Sequence, residues 1–197
     1  MLALARARRI PDLSPRDSYG SVAAKAVAVR TEEVFARLDE VLAVEDIEAL
    51  HDMRVATRRL RAALEIFEPC FPRTPFRSTL REVKRLADAL GERRDRDVQI
   101  EWLVGYAESR NGDERIAVLG FVQALRREQA VANEALATLL GEIQRDELRE
   151  RLQELAARAT PKGHSRKRAS IAQTNGTAKR HAGRRAREHA HAEGPPQ

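Results

Sequence analysis

The residues best placed to do chemistry in this chain are His51, Arg54, Arg58 and Arg61, which recur at three- and four-residue steps within HDMRVATRRLR. In an α-helix, with about 100° between successive residues, that spacing lines cations along one side of the rod. Leu50, Met53, Thr57, Leu60, Leu64 and Phe67 fill the neighbouring sector. The cations should therefore border the buried face and the edge of an interhelical groove. From His51 to Arg61 they extend over about 15 Å, at ~1.5 Å per residue. A line of that length suits a chain of phosphates better than a single anion.

The ordinary reading of such a run is a solvated face neutralised by carboxylates one turn away. Here that face holds one acid, Glu65, which pairs with Arg61. His51 is the only histidine before residue 160. Alone it would be read as a capping or hydrogen-bonding side chain. Beside a phosphate chain its protonated form would be favoured, making it a fourth cation on that face at mildly acidic pH.

The next helix offers a second cationic flank in Arg77, Arg81 and Lys84, followed by Arg93, Arg94 and Arg96. Residues 51–96 hold 12 Lys/Arg against seven Asp/Glu, so this hairpin is net +5. Exposed ion pairs contribute roughly 0.2–1 kcal/mol each, whereas micromolar binding needs about 8 kcal/mol. One helix is insufficient, and both flanks plus counterion release are required. Asp95 and Asp97 are expected to orient arginines through hydrogen bonds.

Enzymatic readings fit poorly. His51-Asp52 is similar to the His-Asp pair of metal-dependent α-helical phosphohydrolases, but no further histidine ligand precedes residue 160. A hydrolase using Asp95 and Asp97 with a metal is the weakest alternative. P-loop, GxGxxG, HExxH and nucleophile-elbow motifs are absent from the sequence. No catalytic residue, metal ligand or cofactor is assigned.

These side chains need helices to hold them. Aromatic residues make up 4% of the 197 residues and strand-like alternation is missing, so the fold should be all-α, an antiparallel four-helix bundle. Ser14-Pro15-Arg16-Asp17 reads as a helix start. Its apolar stripe, Ala23, Val27, Val34, Leu38, Val41 and Leu42, reaches about Val44. A second helix should run from about Asp46 to Pro69, with Pro72 and Pro75 marking the loop. Phe76, Leu80, Val83, Ala87 and Leu90 give the third its buried side. Gly91 should end or kink it, since glycine costs roughly 1 kcal/mol inside a helix, and a further helical stretch carries Asp97, Val98, Ile100 and Leu103. After an Asn111-Gly112 turn come a long helix over 114–140, with Leu119, Val122, Leu125, Leu136 and Leu139 turned inward, and a short one over 144–159.

Net charge divides the chain. Residues 161–197 carry nine Lys/Arg against two Glu, which leaves 27 Lys/Arg against 28 Asp/Glu in residues 1–160. The expected organisation is an N-terminal segment over 1–14, a bundle over 15–160, and a basic tail over 161–197 too poor in apolar residues to order. The tail could attract nucleic acid as a non-specific polyanion, the main alternative function. A lone Cys70 fits a reducing compartment. With no apolar run of about 20 residues, the expected location is cytoplasmic, without membrane contact.

HDMRVATRRLRAALEIF followed by LREVKRLADALGERRDRDV closely resembles the paired signature of the CHAD family, the conserved histidine α-helical domain. The family's His-x-x-Arg-x-x-x-Arg-Arg-Leu-Arg element matches His51 to Arg61. Its Leu-Lys-x-Leu and Leu-Gly-x-x-Arg-Asp elements match Val83 to Leu86 and Leu90 to Asp95. Asp17-Ser18-Tyr19-Gly20 resembles the family's first helix start. The resemblance implies antiparallel helical bundles that bind inorganic polyphosphate, often at polyphosphate granules, through a basic central groove. Carried over residue by residue, it points to His51, Arg54, Arg58, Arg59, Arg61, Lys84 and Arg94, with Arg77 and Arg81 as added flank. Helical phase turns Arg59 away from the other four on its helix. The resemblance covers only the first of the family's two four-helix halves, which implies either a chain truncated or shifted in frame, or a second half supplied by another copy or a separate chain.

Overall fold

The computed structural model describes residues 6–43 and 47–161. They form α1 (Tyr19–Phe35), α2 (Ile47–Ile66), a 3₁₀ turn (Glu68–Cys70), α3 (Arg73–Glu108), α4 (Gly112–Arg145) and α5 (Leu148–Ala157). The described residues contain no strand, and the fold is all-α. Beyond Pro161, the basic tail expected from composition lies outside the described residues.

Helix α1 starts later than Ser14-Pro15 suggests. Ser18 is the cap, its hydroxyl accepting from the Ser21 N–H at 3.1 Å. Upstream, the Asp17 N–H donates to the Ser14 carbonyl at 3.0 Å, and the Asp17 carboxylate accepts from the Ser14 N–H at 3.1 Å. Short polar side chains have satisfied the backbone locally, in competition with a helix. The stripe also outlasts its helix. Phe35 ends α1, turns carry the chain through Leu42, and Val41 is buried from a turn.

The Asp17-Ser18-Tyr19-Gly20 segment gains a physical account. The Tyr19 hydroxyl donates to the Ile66 carbonyl at 2.8 Å and its ring meets Phe67 at 5.0 Å between centroids. Gly20 admits the far end of the described chain, because a Cβ there would lie 2.5 Å from the Thr160 carbonyl oxygen. Thr160 in turn donates its N–H to the Cys70 carbonyl at 2.9 Å. Start, middle and end of the bundle are thus joined around the 3₁₀ turn.

Gly91 neither ends nor kinks α3, which runs through it as one 36-residue helix and absorbs the separate stretch expected after it. Leu86 and Leu90 just before it and Arg93 just after are buried, so packing offsets the local loss of propensity. Pro75 belongs to the first turn of α3 instead of the loop, where its missing N–H has no intrahelical partner to lose.

The core joins α1, α2, α5, the first half of α3 and the second half of α4, with Leu50, Met53, Leu60, Leu64, Val83, Leu86, Leu90, Leu136, Leu152 and Leu155 almost wholly enclosed. At ~1.5 Å per residue α3 and α4 are each about 50 Å long, against about 25–30 Å for α1 and α2. Their hairpin must overhang the bundle. Val98, Trp102, Ile116, Leu119 and Phe121 are exposed there, and the main cluster contains nothing between Leu90 and Leu136, although Ala107, Val122, Leu125 and Ala132 are buried within the hairpin itself, Val122 and Leu125 as the sequence suggests. Leu119, expected in the core, is instead 37% exposed, at the margin of the stripe that buries Val122 and Leu125.

Candidate functional site

Ion pairs define which side of α3 faces which neighbour. Arg85 pairs with Glu142 of α4 at 3.0 Å, Arg96 with Glu128 of α4 at 2.9 Å, and Glu82 with Arg151 of α5. On the other side Lys84 reaches Glu65 of α2 at 3.2 Å. Residues at helical steps from Lys84, namely Arg77, Gly91, Arg94 and Val98, share its side. Arg81 points outward and is exposed.

The same sorting applies to α2. Glu65, Arg61, Arg54 and Arg58 lie toward α3, and His51 just beyond them is half-buried. Asp52 turns the other way to meet Arg37 at 3.4 Å. Arg59 shares that side, lining a cleft of about 170 Å³ with Arg6, Arg8, Glu33, Arg37, Asp52 and Ala56. It is therefore separated from the cations with which the motif groups it.

Two helices joined by a short connection run antiparallel. The Glu65–Lys84 pair then fixes the register. Arg54 lies 11 residues back along α2 from Glu65, and Arg94 ten residues on along α3 from Lys84. Both displacements are about 15 Å, so the two arginines reach the same level of the hairpin.

Charge compensation differs sharply between the two sides of α3. Toward α4 and α5 the arginines are consumed by partners. Arg93 is 2% exposed and pairs with Asp97 one turn on. Its Nε donates to Asn133 at 3.3 Å, the Asp97 carboxylate accepts from Gln129 at 2.6 Å, and Asn133 donates to the Leu42 carbonyl at 3.4 Å. Burial, and Arg94 beside it, push the Arg93 guanidinium below its ordinary pKa. Arg93 and Arg96 thus leave the cationic flank that the sequence suggests. Asp97 orients an arginine as expected, whereas Asp95 is exposed.

Toward α2, Glu65 is the one carboxylate paired with this set among the described residues, holding Arg61 at 3.1 Å and Lys84 at 3.2 Å. The Arg61 hydrogen bond, then that of Lys84, draws Glu65 below the usual carboxylate range. Arg54, Arg58, Arg77, Arg81 and Arg94 have no ion pair among the described residues, and the Arg94 Nη1 is buried without a hydrogen-bond partner. His51, Arg54, Arg58, Arg61, Lys84 and Arg94 are therefore brought to facing sides of one hairpin. Arg77 and Arg81 continue it toward the start of α3.

A family profile for the CHAD domain matches residues 25–197. The chain belongs to the CHAD family. CHAD domains are associated with polyphosphate-related proteins. The match includes the residues after 160 as well as the bundle. No curated protein and no solved structure matches the chain.

Among the described residues no three His, Cys, Asp or Glu side chains cluster closely enough to hold a metal ion. Nor is any helix among them long and apolar enough to cross a membrane. Sequence reasoning passed over Trp102 and Tyr106, which follow Lys84, Gly91 and Val98 on the same side of α3. Their spacing of seven, seven, four and four residues was the available signal.

Proposed function

We propose that this CHAD chain binds inorganic polyphosphate, without chemical turnover, in the groove between α2 and α3. The observation that carries the reading is the unequal charge compensation across α3, with partners for the arginines toward α4 and α5 and few for those toward α2. Unpaired guanidinium groups keep their full attraction for an external polyanion. A linear repeat of negative charge can touch both helices at successive levels and release counterions as it does so. The cellular setting consistent with this reading is the cytoplasm, at polyphosphate granules, and a second copy or a separate CHAD half would extend the groove.

The test is a titration with long-chain polyphosphate at two salt concentrations. Arg54→Glu with Arg58→Glu should abolish binding while helicity by circular dichroism stays unchanged, and no orthophosphate should be released with or without divalent metal. Deleting residues 161–197 should leave most of the affinity. Retained binding in the double variant, with loss on the deletion, would transfer the function to the tail and sink the proposal.

A further inference from the structure

The side of α3 that carries Lys84 and Arg94 does not stop where α2 ends. Val98, Trp102 and Tyr106 follow at one-turn steps along the overhanging half of the helix, and Arg110 comes next, in the connection just past its end. Trp102 stacks on Tyr106 with centroids 5.5 Å apart and planes 14° from parallel. The Arg110 guanidinium lies 4.4 Å from the centroid of the same tyrosine. Glu114 of α4 fixes this ladder, accepting from the Tyr106 hydroxyl at 3.1 Å and pairing with Arg110 at 3.4 Å. Trp102 thus rests on a support already held in place, yet remains 65% exposed.

We infer that Trp102 is a stacking platform for a nucleobase, and that the α2/α3 face with its aromatic extension takes single-stranded nucleic acid. This rests on the reading that the cations between α2 and α3 receive phosphates. A bare phosphate chain has nothing to place on an indole, whereas every base offers a π-face. Trp102 lies eight residues beyond Arg94, about 12 Å along the helix. A short nucleotide linkage spans that distance with its phosphates on the arginine and its base on the ring. From Arg77 to Trp102 the strip runs about 38 Å, the length of a chain and not of a free nucleotide. A duplex keeps its base faces stacked internally, so only a single strand can use the platform.

Trp102 is the only tryptophan of the protein, and its emission reports the site directly. The full chain is titrated with single-stranded oligothymidylate and, separately, with inorganic polyphosphate of equal charge. Oligothymidylate should quench the emission, while polyphosphate should bind without quenching it. Trp102→Ala should weaken oligothymidylate binding by about 5- to 150-fold, the effect of losing one base–aromatic stack. Trp102→Phe should retain most of the affinity, and neither variant should alter polyphosphate binding. No binding of oligothymidylate, or binding that leaves the emission unchanged and is equally tight for Trp102→Ala, would overturn the inference, including the case in which residues 162–197 alone capture the strand. Failure of polyphosphate binding in the parent chain would instead strike the reading on which it rests.

Discussion

Glu65 of α2 stands between two cations, 3.1 Å from Arg61 on its own helix and 3.2 Å from Lys84 on α3. Under the proposed function it competes with phosphate for these two side chains. Glu65→Gln should strengthen polyphosphate binding several-fold and steepen its salt dependence, because up to two more cations become available to release counterions. All three side chains are more than a third exposed. The change in unfolding free energy should accordingly stay within about 1 kcal/mol. Paired binding titrations and urea melts check both halves.

Acid should act on the same residue and on the bundle with opposite consequences. Arg149, then Gln153, hold Glu32 below the ordinary carboxylate range, and Lys25, then the Ser14 backbone, do so for Asp17. A carboxyl depressed in the folded state adds stability above its unfolded pKa, and that stability is lost as pH falls through the depressed value. Urea midpoints should be flat from neutrality down to about pH 4.5 and fall below it. Glu32→Gln should flatten the acid limb. Protonation of Glu65 across the same window should tighten polyphosphate binding while the fold persists.

Asp97 should be the most costly polar residue to remove. It meets Arg93 where both side chains are almost fully buried. Asp97→Ala leaves that guanidinium enclosed without its counter-charge, a loss of about 3–5 kcal/mol. For a domain of this size the melting temperature should fall by roughly 10 °C. Arg93→Met with Asp97→Leu should recover most of the loss, since an apolar pair of similar volume replaces the buried charges.

Gly91 offers the reverse case. A Cβ at this position meets nothing within 4 Å, so alanine fits without strain. Gly91→Ala should raise stability by about 0.5–1 kcal/mol through helix propensity alone. Calorimetry would register this as a melting point higher by a few degrees.

The second helix was readable from sequence because a single stripe, Leu50 to Leu64, sets both its period and its buried side, and the cations take their position from it. Arg59 showed its divergence in phase alone. The fate of Arg93 and Arg96 was not legible. Asp97 lies within one turn of Arg93, but the groups that enclose that pair, Gln129 and Asn133, and the Glu128 that takes Arg96 are distant in sequence, and nothing local distinguishes an arginine bound for the core from one bound for solvent. Gly91 misled because propensity sees the residue and not the packing of Leu86 and Leu90 beside it. Ser14 misled because the same polar atoms that cap helices also close turns. Leu119 looked like core because periodicity records which side a residue takes, but where the shorter helices no longer reach, the α3/α4 hairpin encloses only the middle of that stripe, Val122 and Leu125, and leaves its margin open.

That difference in helix length gives α3 two mechanical regimes on one rod. Amides near Leu86 and Leu90 lie within the shared core and should exchange hydrogen only when the whole bundle opens. Those around Glu101 to Glu108, leaning on α4 alone, should exchange through local fraying. The outer segment can thus loosen and reseat without disturbing the register of the inner one.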